Sequence, residues 1–226
     1  DRIRGSLIGG AVGDALGYAI EFMPEEIIFS KYGEKGITEY ELDPLSGKAL
    51  ISDDTQMTLF TANGILVGST RAAMRGIGGA PHMYMQRSYN DWLNTQQMSF
   101  EESRSLSKGY YKDGSISWLS DVPQIYSRRA PGNTCLTALI YGRDNAVDPE
   151  NCIENPLNNS KGCGGVMRVA PLGLKNYTFV SDDEIDKEAA ILAAITHGHS
   201  LGYMTASVLV HIVRHIVYFN DNSKKS

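Results

Sequence analysis

The fold of this chain is decided by residues 52–68, whose sequence is SDDTQMTLFTANGILVG. Two adjacent carboxylates, Asp53 and Asp54, precede thirteen residues (56–68) that carry no charge. This pattern predicts a buried helix over 54–68, with the two acids at its entrance. Burial penalises a carboxylate that has no hydrogen-bond partner, counter-ion or metal ion. Because no basic residue lies in the following turns, these acids need a partner from elsewhere in the chain or from solution.

Two interpretations of these acids remain open at this stage. The side-chain oxygens of Ser52, Asp53 and Asp54 suit a hard cation such as Mg²⁺. A serine cap and first-turn acids also stabilise a helix without any metal. The tripeptide recurs at 181–183, where Glu184 completes a capping box before a charged amphipathic helix, so we interpret that copy as structural. The first copy lacks this glutamate and opens an uncharged helix.

Composition narrows the classes of function. The chain has 226 residues, a net charge of -5 and no basic run, which favours one sizeable domain or two small ones and argues against nucleic acid as the main partner. Three cysteines, Cys135, Cys152 and Cys163, match neither a disulfide framework nor a zinc pattern, so a reducing, cytoplasmic compartment is expected. No stretch is judged long and apolar enough to span a bilayer, and no membrane partner is expected. The chain opens without methionine, which leaves a removed leader open.

The N-terminal segment carries glycines at every fourth position, 5, 9, 13 and 17, along one face of a predicted helix. Glycine lowers helix propensity and usually serves the close approach of another backbone, so this helix is expected in the interior. Asp14 is interpreted as an acid satisfied by backbone hydrogen bonds rather than as a catalytic group. Glu21 lies beyond the helix end, before the break at Met23-Pro24, and is expected to point into a cleft.

Further helices are predicted over 25–32, 81–95, 100–108, 134–142, 182–196 and 200–218. Few segments alternate as strands do. The expected fold is therefore all-α and compact, with function carried on long loops. The polar end of the chain, 221–226, is expected to be frayed.

Two loops rich in glycine or proline are candidate ligand sites. Residues 129–134, RAPGNT, precede an apolar helix whose free N–H groups can receive a phosphate. Residues 159–168, NSKGCGGVMR, contain three glycines that allow the backbone to approach a ligand closely. Neither is a Walker or Rossmann loop, and each can also be a flexible connection. His197 follows a helix end and can simply cap it; paired with His199 it has no third zinc ligand.

Several motifs in order resemble the ADP-ribosylglycohydrolases, the group that includes the dinitrogenase reductase-activating glycohydrolase. The resemblance runs from about residue 3 to about residue 218 and rests on GxxxGDALG at 9–17 with Glu21, SDDT at 52–55, GGVMRVAP at 164–171 and THG at 196–198.

The resemblance implies one all-α domain over 1–226 that hydrolyses the glycosidic bond between ADP-ribose and an acceptor, either a protein side chain or a small molecule. It implies two magnesium ions, with Mn²⁺ as a substitute, and metal ligation by Ser52, Asp53 and Asp54. Glu21 and Asp54 are the expected catalytic residues. The expected substrate contacts are Gly132, Asn133, Thr134, Ser160, Gly162, Cys163, Gly164 and His197.

The chain departs from the family pattern at its end. Family members close with a G-D-x-D-T/S motif that supplies the remaining metal ligands, and nothing like it follows Val217. The domain is therefore expected to lack its C-terminal segment, to be a poor catalyst by itself and to associate through the apolar side of its last helix, formed by Leu209, Ile212, Val213 and Val217. The alternative is a catalytically inactive ADP-ribose-binding or structural protein of the same fold.

Overall fold

The computed structural model describes residues 1–76, 78–107, 115–176 and 180–218. In these ranges the chain is all-helical and contains no strand, which confirms the predicted fold class. The α-helices are α1 (Arg2–Gly17), α2 (Glu25–Tyr32), α3 (Asp53–Arg75), α4 (Pro81–Gln97), α5 (Phe100–Ser107), α6 (Asn133–Asp144), α7 (Ala170–Leu174), α8 (Asp182–Ala194) and α9 (Ser200–Tyr218). Short 3-10 helices cover Tyr18–Ile20, Trp118–Asp121, Pro123–Ile125 and Pro149–Asn151.

The helix boundaries differ from the predicted ones where tertiary packing overrides local signals. Helix α3 continues past Gly68 to Gly76, whose left-handed conformation (φ 62°) ends it. Helix α7 was not predicted, because five residues including a proline are too short to show periodicity. The predicted end of α5 at residue 108 and the predicted frayed tail at 221–226 lie outside the described residues.

The core forms where α3 packs against α4 and α8 packs against α9. Gly64 allows the first of these contacts, since a Cβ atom there would lie 3.0 Å from the Cα of Met85. The side chains of Phe60, Tyr89 and Trp92 are fully buried between these layers. Large buried aromatic side chains contribute most to such a core, about 1.5–3 kcal/mol each.

A buried amide fixes the segment that leads into α6. Gln56 Oε1 accepts a hydrogen bond of 3.1 Å from the indole N–H of Trp92, and its Nε2 donates at 3.0 Å to the carbonyl of Ser127. A buried polar group costs stability unless it is paired in this way. The bonds hold the segment before Gly132 against α3, and so help to position one of the two candidate ligand loops.

The prediction that α1 lies in the interior is wrong. Among the described residues of α1, only Ala15 is buried. A Cβ atom added at Gly5, Gly9, Gly13 or Gly17 would meet nothing within 4 Å. Polar bonds near the two ends hold this helix instead. Arg2 donates to the carbonyl of Val217 at 2.7 Å, and the carboxylate of Asp14 bonds the start of α3. Part of the glycine-rich face of α1 borders a cavity instead of packing against the backbone of another helix.

Helix α9 corrects two further expectations. Leu209 packs against the core and Val213 lies against α7, so the exposed apolar stripe is formed by Leu201, Met204, Val208, Ile212 and Ile216. By length and composition alone, Ser200–Tyr218 is long and apolar enough to cross a membrane, contrary to the expectation from the sequence. A single such helix is weak evidence for a span, because core helices of soluble proteins pass the same test.

Replacing Gly173 by alanine is expected to destabilise the fold by about 1–3 kcal/mol, because the new methyl group would lie 2.7 Å from the carbonyl oxygen of Val210. Gly9→Ala is the matched control on a free helix face, and it is expected to stabilise by about 0.5–1 kcal/mol through helix propensity. Thermal or urea unfolding of the two variants measures the difference. Equal stability of the two variants would contradict the described packing of α7 on α9 and the exposure of α1.

A buried carboxylate also attaches the segment that begins at residue 115 to α4. Asp91 Oδ2 accepts hydrogen bonds from the backbone N–H groups of Ile116 at 2.9 Å and Ser117 at 2.8 Å. Burial raises the pKa of Asp91 to about 6 from an ordinary value of 3.8, against the opposing effect of these N–H groups. The folded state therefore binds this proton more tightly than the unfolded state does.

The contribution of Asp91 to stability should accordingly be highest below about pH 4 and should fall as the pH rises through about 6. Asp91→Asn keeps an acceptor and cannot ionise. Between pH 4 and pH 8 the wild type should therefore lose about 2 kcal/mol of stability relative to this variant. Urea unfolding across this pH range measures the difference, with the exposed Asp183→Asn as control. A constant difference between wild type and Asp91→Asn would show that the carboxyl group does not titrate in this way.

Candidate functional site

The N-terminus of α3 lies at the centre of the candidate site. Ser52 caps the helix, and its Oγ accepts a hydrogen bond of 3.1 Å from the N–H of Asp54. Asp14 of α1 accepts bonds from the N–H groups of Ser52 at 2.9 Å and Thr55 at 3.2 Å, and from the Thr55 hydroxyl. The interpretation of Asp14 as an acid satisfied by backbone hydrogen bonds is confirmed. These bonds fix α1 to the start of α3.

The second Ser-Asp-Asp sequence is structural, as predicted. Ser181 Oγ accepts from the N–H of Glu184 at 3.2 Å, and the Glu184 carboxylate accepts from the N–H of Ser181 at 2.9 Å. This reciprocal pair is the capping box that the first copy lacks. The two copies share a capping serine and differ in what surrounds their acids.

Four carboxylates lie close together at the first copy. Burial, followed by repulsion from Asp54, raises the pKa of Asp53 to about 7. Partial burial, followed by repulsion from Asp14 and Glu21, raises the pKa of Asp54 to about 6. Burial and the charge of Asp14 also raise the pKa of Glu21. Such a group attracts a cation, because a bound cation offsets the mutual repulsion of the ionised acids.

Asp53 and Asp54 have different surroundings at the α3 terminus. Asp53 is 5 % exposed, and its Oδ2 accepts a hydrogen bond of 3.4 Å from the N–H of Gly132. Asp54 borders a cavity of about 940 Å³ between α1 and α3, which Ser52 and Glu21 also line. The remaining lining of this cavity is mostly apolar and includes Leu7, Ile8, Val12, Leu59 and Met167. Asp53, 132–134 and 160–164 do not line it.

Two further side chains lie near these acids: Tyr18, which no sequence motif includes, and Arg129, which was expected only as part of a phosphate loop. Burial raises the pKa of Tyr18. The charge of Arg129 lowers this pKa and the charges of Glu21 and Asp53 raise it, so these groups are neighbours. The backbone carbonyl of Arg129 also accepts the N–H of Asp53 at 2.9 Å. A signal existed in the sequence, since Tyr18 directly follows GDALG and Arg129 opens RAPGNT.

Helix α6 presents its N-terminus beside Asp53. Gly132 is the capping residue, and no side chain caps this helix. The first N–H groups of a helix have no partner within the helix, so those of Asn133 and Thr134 are available to an anion. The bond from Gly132 to Asp53 therefore joins an acidic group to an anion-binding helix end.

The glycine-rich loop lies against the same helix. A Cβ atom at Gly164 would lie 2.7 Å from Cys135 Sγ of α6 and 2.7 Å from Cε1 of His197, so only glycine fits there without displacement. Ser160 Oγ accepts from the N–H of Gly162 at 3.3 Å and shapes the first half of the loop. Within the described ranges, no residue accepts a hydrogen bond from the N–H groups of 163–165. The side chain of Cys163 is exposed.

His197 is 2 % exposed and lies behind this loop. Burial, with the positive charge of Arg168 as a second cause, lowers the pKa of His197 to about 4, so the ring is neutral at physiological pH. His199 instead caps α9, since its Nδ1 accepts from the N–H of Leu201 at 3.0 Å. The two histidines therefore have separate hydrogen-bond partners.

The oxygen donors at the start of α3 suit magnesium better than a metal ion whose ligands all come from the protein. In the part of the chain that the structure describes, no three His, Cys, Asp or Glu side chains converge tightly enough to hold an ion. Magnesium commonly uses only one or two carboxylates and keeps several waters. The buried Asp53 and its neighbour Asp54 are carboxylates of this kind.

The fold and the site together define a helical protein that places a group of acids beside two loops with backbone N–H groups free to bind an anion. The comparison with protein families gives the particular class. The family model described as ADP-ribosylglycohydrolase matches residues 1–226, so the chain belongs to this family. The family supports glycohydrolase activity in general and ADP-ribosylated substrates in general. Neither the comparison with curated proteins nor the comparison with solved structures gave a match.

Proposed function

We propose that this protein is a magnesium-dependent hydrolase that removes ADP-ribose from a modified acceptor by cleaving the glycosidic bond at the distal ribose. One observation carries the proposal: the hydrogen bond of 3.4 Å between the Asp53 carboxylate and the N–H of Gly132. It places an acidic group directly beside the N-terminus of α6. ADP-ribose contains both chemistries that such a junction recognises, a pyrophosphate for N–H groups and a ribose diol for oxygen ligands or a metal.

The backbone loops are the proposed pyrophosphate site. The N–H groups of Asn133 and Thr134 point out of the helix end, and those of Cys163 and Gly164 have no acceptor within the described residues. Charge-assisted bonds from such groups to phosphate oxygens are stronger than neutral ones. Contact between Cys135 and Gly164 keeps the helix end and the loop together. Ser160, Gly162 and His197 complete the proposed set of substrate contacts.

The acids are the proposed site of chemistry. Ser52, Asp53 and Asp54 would hold magnesium, or manganese in its place, with two ions expected in a complete site. When bound, the metal would orient the ribose hydroxyls and a water molecule and stabilise negative charge. Hydrolysis at the anomeric carbon passes through an oxocarbenium-like state that needs an acid or base nearby. Glu21 borders the same cavity as Asp54, and its raised pKa suits proton exchange or a hydrogen bond to a ribose hydroxyl.

A second candidate function is ADP-ribose binding without turnover. It is favoured by a specific observation: in the described residues, fewer than three acidic or histidine side chains converge closely enough for a metal. The two candidates share the pyrophosphate site and differ in the chemistry at Glu21 and Asp54. For both, the proposed partner is an ADP-ribosylated protein or an ADP-ribose derivative, and the proposed compartment is the cytoplasm, consistent with three unpaired cysteines.

Asp54→Asn is expected to lower the affinity for Mg²⁺ at least about tenfold, because it removes one carboxylate ligand and much of the local negative charge. Isothermal titration with MgCl₂ measures this affinity. Asp183→Asn is the matched control, since it changes the corresponding residue of the second Ser-Asp-Asp copy, and its Mg²⁺ binding should equal that of the wild type. Equal affinities for all three proteins would contradict the assignment of the metal site.

Glu21→Gln is expected to reduce hydrolysis of an ADP-ribosylated peptide at least about 100-fold while leaving the unfolding midpoint unchanged, because Glu21 is exposed at the cavity and not a packing residue. Release of ADP-ribose measures hydrolysis, and calorimetry with ADP-ribose measures binding in the same samples. Full activity of Glu21→Gln would remove Glu21 from the mechanism. A wild type that binds ADP-ribose with Mg²⁺ but hydrolyses nothing would establish the second candidate, and a wild type that does neither would contradict both.

A further inference from the structure

Arg168 is a buried cation behind the glycine-rich loop. It is fully buried, and none of the ion pairs among the described residues includes it. Its guanidinium instead donates to the carbonyls of Gly164 at 3.0 Å and Leu192 at 2.8 Å, and stacks 4.4 Å from the ring centre of Tyr89. A remaining N–H group of this guanidinium donates to the hydroxyl oxygen of Thr196 at 2.9 Å.

The bond from Arg168 determines where the Thr196 hydroxyl proton points. The hydroxyl oxygen already accepts from Arg168, so its own proton must go to a second neighbour. Its neighbours are Nδ1 of His197 at 2.8 Å, the carbonyl oxygen of Ala193 at 3.5 Å and the thiol of Cys135. A distance of 2.8 Å is normal for a hydrogen bond, and 3.5 Å is at its limit. Donation from the hydroxyl to Nδ1 uses this short contact, whereas acceptance from a protonated Nδ1 would leave the hydroxyl proton with the 3.5 Å carbonyl or the Cys135 sulfur. Donation to Nδ1, with the ring proton on Nε2 of the neutral His197, is therefore the favoured arrangement.

The Nε2 atom of His197 faces the glycine-rich loop. Cβ atoms added at Gly162 and Gly164 would lie 3.2 Å and 3.1 Å from it, so these glycines leave room next to the ring nitrogen. No described residue forms a hydrogen bond with Nε2, whereas Nδ1 is occupied by Thr196. The Nε2–H group is thus a donor available beside the free N–H groups of the loop.

We propose that Arg168 and Thr196 are positioning residues that fix His197 as the Nε2–H tautomer, so that a neutral ring donor joins the loop N–H groups in binding an oxygen atom of a phosphorylated ligand. The identity of that ligand as ADP-ribose rests on the proposed function. Arg168 also favours anion binding in a second way. Its hydrogen bond to the Gly164 carbonyl holds this oxygen on the inner side of the loop, away from an anionic ligand. The relay runs from guanidinium to hydroxyl to imidazole and needs no charge on the histidine.

The first test is spectroscopic and needs no ligand. In long-range ¹H–¹⁵N spectra of wild-type protein at pH 7, His197 should show a protonated Nε2 and an unprotonated Nδ1. Thr196→Val removes the hydroxyl donor at nearly constant volume, so Nδ1 should become protonated in a substantial fraction of molecules. Thr196→Ser keeps a hydroxyl and should restore the wild-type spectrum. A protonated Nδ1 in the wild type would overturn the proposal, and so would an unchanged tautomer in Thr196→Val.

The second test measures the consequence for binding. Thr196→Val should weaken ADP-ribose binding about fivefold to tenfold, the net effect of one ordinary hydrogen bond, and Thr196→Ser should restore it. Unchanged affinity in a Thr196→Val protein with an altered tautomer would overturn the link between the relay and the ligand. Failure of the wild type to bind ADP-ribose would count against the proposed function. The wild-type spectrum would still decide the tautomer in that case, and also if Thr196→Val did not fold.

Discussion

The buried guanidinium of Arg168 is the interaction on which the proposed ligand-binding side of this protein depends. It connects the ring of Tyr89 on α4, the Leu192 carbonyl of α8 and the Gly164 carbonyl of the glycine-rich loop. Removing a cation from water costs several kcal/mol, and three classes of contact offset this cost: carbonyl acceptors, a hydroxyl and an aromatic face. Loss of any one contact would leave a buried charge poorly compensated. The position of the loop is therefore coupled to the packing of the core.

On the acidic side of the site, by contrast, the surroundings destabilise the charged groups. Burial and mutual repulsion raise the pKa values of Asp53 and Asp54, so without a bound cation these groups oppose folding near neutral pH. Hydrogen bonds from N–H groups at the start of α3 to the Asp14 carboxylate hold this terminus in place. Functional sites commonly retain such unfavourable groups because the ligand offsets them. Two hydrogen bonds of Asp53, one from the N–H of Gly132 and one to the carbonyl of Arg129, join this side to the proposed anion-binding side.

Local signals in the sequence predicted several features well. Helices 25–32 and 200–218 have the predicted bounds, and the capping box at Ser181 and the bonded state of Asp14 follow from short-range patterns. Features that depend on distant segments were missed. The exposure of the α1 glycines, the direction of the α9 stripe and the proximity of Tyr18 to Arg129 are set by tertiary packing, which periodicity does not contain. Arg168 stood within a recognised motif, but its neighbours are up to 111 residues away along the chain.

We propose that the α6 terminus, the glycine-rich loop and His197 form one binding surface for the pyrophosphate of ADP-ribose. Titration of ¹⁵N-labelled protein with ADP-ribose, followed by backbone amide shifts, tests it most directly. The account predicts that the amides of 133–134, 163–165 and 197 shift together along one binding curve. Shifts confined to residues that line the apolar cavity between α1 and α3, with these amides unchanged, would contradict it.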